Sequence, residues 1–262
     1  MGRTTTMTAG AALLAATLTL TACGGDGGKK DDAAPKSTLD AATSSAAPSG
    51  ADNSAKPPAE LVKTALDAFK NAKSVRMRGD FKDDGQAMRL DARVGTDKAD
   101  GTMQGGFGSG PSTVKIRTTG GKFYMNADTA FWADTLEDKT TGAVLGGKWV
   151  LFPSSQAKQF QTFLGLQQFD QEVFTPLRKE FTASGGIRTR REDIGGVPAI
   201  GLTGSSGKTT VFVSANGTPQ LLRINSTAPV GELPEGTFDF SEYDAPLQID
   251  APADVVDISK VK

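Results

Sequence analysis

The stretch that decides the fold is SVRMRGDFKDDGQAMRLDARV, residues 74–94. Apolar and charged residues alternate from Val75 to Phe81, and the alternation resumes from Met88 to Val94 after the turn at Asp83–Gly85. Successive side chains of a strand point to opposite faces, so a period of two separates the two kinds of residue. The stretch therefore predicts an antiparallel hairpin that is apolar on one face and charged on the other.

The same pattern extends over most of the chain, with glycine-containing turns between the apolar runs. Further strands are predicted at Met103–Phe107, Val114–Thr118, Phe123–Asn126, Lys148–Phe152, Ile187–Ile194, Val197–Thr203, Thr209–Val213, Leu221–Ser226 and Phe238–Phe240. We expect the C-terminal segment Pro246–Ile258 to run along an edge of the sheet.

Two regions have helical character instead. A helix is predicted after Pro57 and Pro58, because apolar residues between Leu61 and Phe69 recur at helical spacing. The region from Phe160 to Phe181 contains five phenylalanines within 22 residues and predicts a pair of helices, interrupted near Gly165 and Pro176. Taken alone, these helices fit either simple core packing or the lining of a cavity for an acyl chain.

The polar insert Asp128–Gly147 lies between these two regions and contains a short helical stretch. Helices in two groups and one long sheet predict an α+β fold, a strongly curved antiparallel half-barrel wrapped around helices. Curvature is expected because an open sheet of about ten strands does not remain flat. A curved sheet of this kind can enclose a hydrophobic cavity, and the insert would cap or fill its mouth.

The N-terminus predicts export and lipid attachment. Arg3 precedes the apolar run Ala9–Leu20, which suits a signal peptide and is shorter than the roughly 20 residues of a transmembrane helix. The next residues, Leu20-Thr21-Ala22-Cys23, match the lipobox of bacterial lipoproteins, in which the cysteine thiol accepts a diacylglyceryl group. The alternative is a buried free cysteine behind an ordinary secretory cleavage site.

Three segments are therefore predicted. Residues 1–22 form the signal peptide, Cys23 with residues 24–58 forms the lipid anchor and a disordered linker, and residues 59–262 form one folded domain. The linker is rich in small and polar residues and has too little apolar surface to fold. The expected location is the extracytoplasmic face of the cell membrane.

Composition excludes several function classes. The chain has no histidine, and Cys23 is its only cysteine, which argues against Ser-His-Asp and Cys-His catalysis, histidine-bound zinc and disulfides. The formal net charge of −1 provides no basic field for nucleic acid. We therefore expect no cofactor, no metal and no nucleic-acid partner.

Several short motifs resemble catalytic signatures but lack their context. Gly207-Lys208-Thr209 has no glycine at the position that a phosphate-binding loop requires, and it lies between strands. Ser155–Lys158 fits the S-x-x-K pattern, but the same spacing recurs by chance at Ser112/Lys115 and Ser205/Lys208.

Charge clusters are also explained without catalysis. The acidic pairs Asp83-Asp84 and Glu137-Asp138 lie in predicted turns, where solvated carboxylates are common. A basic cluster comprises Arg178, Lys179, Arg188, Arg190 and Arg191. It fits a charged outer sheet face or, alternatively, a patch that contacts anionic head groups of the membrane.

The C-terminal residues of the chain resemble those of a known lipoprotein family. Residues 238–249, FDFSEYDAPLQI, followed by Ala251-Pro252, resemble the close of the LppX/LprG-type lipoproteins of actinobacteria, which are more distantly similar to LolA-like carriers. The lipobox, the linker, the first helix with its strand, and Lys148-Trp149-Val150 before the phenylalanine-rich helices occur in the same order. The resemblance implies a half-barrel with a hydrophobic cavity that binds a lipid or lipoglycan and assists its transport across the cell envelope.

If the resemblance holds, apolar residues of the sheet and helices line this cavity. The candidates are Leu66, Phe69, Met77, Phe81, Leu90, Phe107, Ile116, Phe123, Trp149, Leu151, Phe160, Phe163, Phe169, Phe174 and Leu177. The expected partners are a lipid or lipoglycan ligand, the membrane through the lipid on Cys23, and an envelope transporter, with the chain itself a monomer.

Three classes of function remain open at this point. The first is a lipid-binding carrier, and the second is a sensor or scaffold lipoprotein that uses the same fold to regulate a membrane partner. The third, an envelope enzyme, is disfavoured because no motif supplies a nucleophile with its base.

Overall fold

A computed structural model describes residues 50–107, 110–153, 165–182 and 186–261. The strands are β1 Ser74–Asp83, β2 Gln86–Gly95, β3 Ala99–Phe107, β4 Gly110–Thr119, β5 Lys122–Asn126, β6 Trp149–Phe152, β7 Arg188–Ile194, β8 Val197–Thr203, β9 Thr209–Ser214, β10 Leu221–Ser226, β11 Gly236–Ser241 and β12 Val255–Asp257. The helices are α1 Pro58–Asn71, α2 Thr129–Leu136, α3 Lys139–Leu145, α4 Leu166–Phe169 and α5 Thr175–Thr182, with a π-helical turn at Asp170–Phe174 between α4 and α5.

All of these strands form a single 12-stranded sheet in the order β12-β6-β5-β4-β3-β2-β1-β11-β10-β9-β8-β7. The pairing of β1 with β11 joins an N-terminal meander to a C-terminal one. Within the described residues every neighbouring pair is antiparallel except β12 with β6, which is parallel. The expected edge segment thus adds a strand, and the sheet is mixed at this edge instead of wholly antiparallel.

The sheet is curved, because one apolar core joins its distant parts. Inner side chains from β1–β6 and from β8–β11 belong to the same buried cluster. Ten strands laid flat would span about 40 Å at the usual spacing of about 4.8 Å, which is far wider than a few helices. The α+β class with a sheet wrapped around helices is therefore confirmed.

Helix α1 fills the concave side of the C-terminal meander. It contacts β9, β10, α4 and α5, and its predicted apolar stripe from Leu61 to Phe69 is buried. The ring of Phe69 lies 5.5 Å from Phe169 and 5.6 Å from Phe240, measured between centroids. These aromatic contacts join α1 to both the second helical layer and the sheet.

The second helical layer is continuous through Pro176, where the sequence predicted an interruption. Proline lacks an amide hydrogen and its ring crowds the carbonyl four residues earlier. The chain accommodates Pro176 by widening into the π-turn Asp170–Phe174, in which the amide of Thr175 bonds to the carbonyl of Asp170. The carboxylate of Asp170 is almost fully buried and is neutralised by Arg178 and by Lys70, whose Nζ lies 3.5 Å away.

The folded part begins earlier than the sequence predicted. Asp52 forms an isolated bridge with Asn216, and the fully buried Asn53 donates hydrogen bonds from its amide to the carbonyls of Ser214 (3.1 Å) and Gly217 (3.0 Å). Residues 50–57, assigned above to the end of the linker, therefore lie against β9 and the loop after it. Backbone hydrogen bonds of Ala51 and Asn53 to the same loop add to these contacts, and composition cannot reveal them.

Candidate functional site

The strand register separates an inner apolar face from an outer charged face. Met77 lies opposite Ala92 and next to Phe240, and all three belong to the core. Ile116 lies opposite Met125 on the same inner face, and Thr118 lies opposite Phe123. The sheet candidates Met77, Phe81, Leu90, Phe107, Ile116 and Phe123 all lie on this inner face.

Trp149 and Leu151 lie on the opposite face, which corrects their assignment to the cavity lining. In β6 it is Val150 that lies opposite the core residue Met125, whereas Trp149 lies opposite Asn126. Because the side-chain period of a strand is two, residues on either side of Val150 project outward. The stretch WVLF is apolar throughout, so its sequence contains no alternation from which to read its faces.

Burial along the inner face falls from one end of the sheet to the other. Val75 and Val94, near the start of β1 and the end of β2, are 1% exposed. At the other end, near the β1–β2 turn and Phe107, several inner side chains are only partly buried, although Met88 in the same region is 4% exposed. We call this set the apolar end: Phe81, Leu90, Met103, Phe107 and Phe131.

The insert between β5 and β6 supplies part of the apolar end. Helix α2 places the ring of Phe131 edge-on to Phe107, with centroids 5.6 Å apart. The neighbouring Trp132 is 1% exposed and its ring lies 6.0 Å from that of Phe152. The insert therefore covers inner-face aromatic residues. Sequence reasoning treated it as polar and missed Phe131 and Trp132, although this aromatic pair was a visible signal.

A depression of about 620 Å³ adjoins the apolar end. Its wall includes Gly105 and Ser112, which lie opposite each other on the inner face, together with Lys115 and Asp128 at the rim. This volume is within the range of about 300–1,000 Å³ that small-molecule sites occupy. By register, Gly105 and Ser112 belong to the inner face, whereas Thr113 and Lys115 belong to the outer face.

The helical candidates form a closed cluster instead of an open wall. Leu66, Phe69, Phe174 and Leu177 are fully buried, and Phe169 is nearly so. The rings of Phe169 and Phe174 meet edge to face at 5.1 Å. In this conformation these residues are packed core. Candidates Phe160 and Phe163, the lipobox residues Leu20, Thr21 and Ala22, and Cys23 lie outside the described residues.

Two of the segments that resemble catalytic motifs lie in a turn and on a strand. Gly207-Lys208-Thr209 spans the turn between β8 and β9. Ser112 and Lys115 lie three apart on β4 and hence on opposite faces. Ser155–Lys158 lies outside the described residues.

The acidic pairs have structural roles. Asp83-Asp84 lies at the β1–β2 turn. The carboxylate of Asp138 caps α3, and hydrogen bonds from the Thr141 hydroxyl and the Thr140 amide lower the pKa of Asp138. Neither arrangement pairs a general acid with a base.

The basic cluster is divided between two elements. Arg188, Arg190 and Arg191 lie on the exposed edge strand β7, whereas Arg178 bonds to the buried Asp170 in the helical layer. Arg190 and Arg191 are paired with Glu192 and Asp52, at 2.9 and 3.0 Å. Charged side chains along an edge strand prevent unwanted pairing with another strand. The arginines of β7 are therefore explained without a bound ligand.

Metal-binding side-chain groups and membrane-spanning helices are both absent from the described residues. No group of three or more Asp, Glu, Cys or His side chains is placed to hold a metal ion in this part of the chain. None of the helices in residues 50–107, 110–153, 165–182 and 186–261 has the length and apolar character required to cross a membrane.

The described residues thus form an α+β protein. Its sheet is apolar on one face and wraps around an apolar interior, and the side chains at one end of that interior are less fully buried. No family model and no curated protein matches the chain. Among solved structures it is similar to the Mycobacterium tuberculosis lipoprotein LppX, at 18% identity and a TM-score of 0.45, over 74% of this chain and 98% of LppX. It is also similar to LprF from Mycobacterium bovis, at 13% identity and a TM-score of 0.44, over 74% of this chain and 96% of LprF.

Proposed function

We propose that this chain is a membrane-anchored extracytoplasmic lipoprotein that binds a lipid or lipoglycan at its apolar end and assists its transport across the cell envelope. The observation that carries the proposal is the falling burial of the inner face towards Phe81, Leu90 and Phe107. A protein that only had to fold would gain stability by burying these side chains as fully as Val75 and Val94.

The apolar end suits an acyl chain. Each methylene that leaves water contributes about 0.8 kcal/mol, so an acyl chain needs only a continuous apolar surface to bind. The rings of Phe81, Phe107 and Phe131, with Leu90, provide such a surface, and the depression reaches the same face at Gly105, two residues before Phe107 on β3. Polar groups that line it, such as Ser112 and Asp128, are positioned for a lipid head group.

The proposal includes no enzymatic step. Among the described residues, those that motif matching suggested lie in turns, at helix caps or on opposite faces of a strand, and none of these forms a nucleophile–base pair. Recognition by shape and apolar area needs no cofactor. Transfer of the cargo to an envelope transporter would follow from a reversible site.

A second candidate is a sensor or scaffold lipoprotein that regulates a membrane partner. The closed cluster of Phe69, Phe169 and Phe174 favours it, because that part of the interior is filled by the protein itself. The two candidates differ in stoichiometric ligand binding, which only the carrier requires.

The carrier is tested by titrating a fluorescent fatty acid into the full chain carrying Cys23→Ser, which removes the lipid acceptor. We expect saturable binding of about one ligand per chain and displacement by unlabelled lipid. Absence of saturable binding would favour the scaffold. In cells, the unchanged chain should fractionate with membranes and the Cys23→Ser variant should not, and co-fractionation of both would refute the anchor.

A further inference from the structure

The outer face of the sheet contains a groove that the lipid-binding proposal does not use. Two cross-strand rows form it: Asp91, Thr102, Lys115, Asn126 and Trp149 lie side by side across β2–β6, and Arg93, Asp100 and Arg117 lie in the next row. The groove has a volume of about 280 Å³. We call it the outer groove, lined by Asp91, Arg93, Asp100, Thr102, Lys115, Arg117 and Trp149.

Positive charge exceeds negative charge in and beside this groove. The carboxylate of Asp91 is already engaged by Arg76 at 2.8 Å and by Arg78 at 3.4 Å. Burial opposes ionisation of Asp91, but the hydrogen bonds and charge of Arg76, with Arg78, outweigh it and lower the pKa of Asp91. Asp91 therefore remains ionised and bound to β1, and Asp100 is the carboxylate left to balance the cations of the groove.

Asp100 does not balance those cations fully. Its carboxylate lies 3.2 Å from Arg93 and 3.9 Å from Arg117, and the longer distance exceeds that of a hydrogen bond. Lys115, in the neighbouring row, forms no ion pair within the part of the chain that the structure describes. The groove thus has three cations and one available carboxylate, which approaches only Arg93 closely.

Arg117 is held in place before any ligand arrives. Its guanidinium lies over the ring of Trp149, 5.1 Å from the ring centroid, and its Nη1 donates a hydrogen bond to the carbonyl of Asp250 (3.1 Å). An arginine fixed in this way loses little side-chain entropy when it binds a ligand. Its Nη2 points towards Asp100 without bonding to it.

We propose that the outer groove binds a phosphate-bearing ligand. A phosphate offers several acceptor oxygens and up to two negative charges, which match the donors of Arg93, Lys115 and Arg117 better than a single carboxylate would. The volume accommodates a small head group and no acyl chain. The site is on the opposite face from the apolar end and does not depend on the lipid-binding proposal.

The test uses the full chain carrying Cys23→Ser and glycerol 3-phosphate as the probe, with sodium chloride matched for ionic strength as the blank. Trp149 is one of only two tryptophans in the chain, so its fluorescence reports on the groove. We expect a saturable change that Trp149→Phe abolishes. A linear change, or one equalled by sodium chloride, would overturn the proposal.

Variants locate the binding. Arg117→Gln and Lys115→Gln should each raise the dissociation constant for glycerol 3-phosphate, measured by calorimetry, at least about fivefold, since each removes a charge-assisted contact. Lys82→Gln is the control, because Lys82 lies on the same face of the sheet but is paired with Glu235 at 2.8 Å. Equal weakening by all three variants would refute a specific site. Lys115 is exposed, so its replacement tests binding even if Arg117→Gln fails to fold.

Two sources of phosphate are then distinguished. Vesicles of phosphatidylglycerol and of phosphatidylcholine are each sedimented with the same variants. Binding to phosphatidylglycerol vesicles that Lys115→Gln weakens identifies a lipid head group as the ligand. Binding of glycerol 3-phosphate without binding to vesicles identifies a soluble phosphate compound. Binding of neither overturns the proposal.

Discussion

The ring of Phe69 in α1 meets the ring of Phe174 in the π-turn edge to face, with centroids 4.9 Å apart. Both side chains are fully buried, and both also contact Phe240 of β11. The pair therefore joins the first helix, the second helical layer and the sheet at one point. Because Phe240 lies opposite Met77, the contact is made away from Phe81 and the apolar end.

Removing this contact should destabilise the domain strongly. We expect Phe174→Ala to lower the free energy of unfolding by about 3–5 kcal/mol, through lost burial and the cavity left behind. A double-mutant cycle with Phe69→Leu and Phe174→Leu should give a coupling of about 0.5–1.5 kcal/mol. Urea unfolding measures both, and Val144→Ala, at a side chain that is 46% exposed, is the neutral control. Additive effects of the two leucine variants would show that the rings do not interact.

The apolar end should respond differently from this closed cluster. Leu90→Asp places a charge on the partly buried inner face, where an unpaired carboxylate is costly beside an acyl chain. We expect it to weaken fatty-acid binding at least about tenfold in a fluorescence titration. Ala87→Asp is the matched control, because Ala87 is exposed on the same strand and lies opposite Lys82 on the outer face. Equal affinity of the two variants for the fatty acid would show that the ligand binds elsewhere.

Asn53 should contribute to stability despite its position before the first helix. Asn53→Ala removes two hydrogen bonds and leaves the buried carbonyl of Ser214 without that donor, so we expect a loss of about 1–3 kcal/mol. Ser54→Ala, at an exposed neighbour that bonds only to Asp52, should cost much less. Thermal unfolding compares them, and an equal loss in both variants would mean that residues 50–57 do not dock as described.

Tyr243 should make stability fall at alkaline pH. Its hydroxyl donates a hydrogen bond to the carbonyl of Leu221 (2.7 Å), and burial, together with the charge of Asp244, raises the pKa of Tyr243. In the unfolded chain a tyrosine ionises near pH 10, as in model peptides, so above that pH the unfolded state releases the proton first. The free energy of unfolding should then fall by up to about 1.4 kcal/mol per pH unit. Urea unfolding between pH 9 and 11 checks this, and Tyr243→Phe should flatten the slope. An unchanged slope would exclude Tyr243 as its cause.

The sequence predicted the faces of the sheet wherever apolar and charged residues alternate. Met77, Leu90 and Ile116 lie on the inner face for that reason. Trp149 and Leu151 were misplaced because β6 is apolar on both faces, and only its register with β5 assigns them. The parallel pairing of β12 with β6 depends on a contact between residues about 100 positions apart, which no local pattern encodes.

The candidate site was predictable only in part. Phe81, Leu90 and Phe107 followed from periodicity, but their partial burial depends on where the helices end over the sheet. Phe131 was not predicted to belong to the site, because the insert was judged by its polar composition. The insert contains α2, and this helix places the ring of Phe131 against Phe107 of the sheet. The π-turn before Pro176 shows a similar limit, since a proline predicts a disturbance of the helix but not its form.

The proposed function requires the chain to bind a lipid on the inner face of its sheet. The most direct measurement is organic extraction and mass spectrometry of the full chain purified without its anchor, as Cys23→Ser, alongside the same chain carrying Leu90→Asp. We predict about one lipid per chain from the first protein and a severalfold lower yield from the second. Recovery of no lipid from either protein, together with no displacement of a bound fluorescent fatty acid, would contradict the claim.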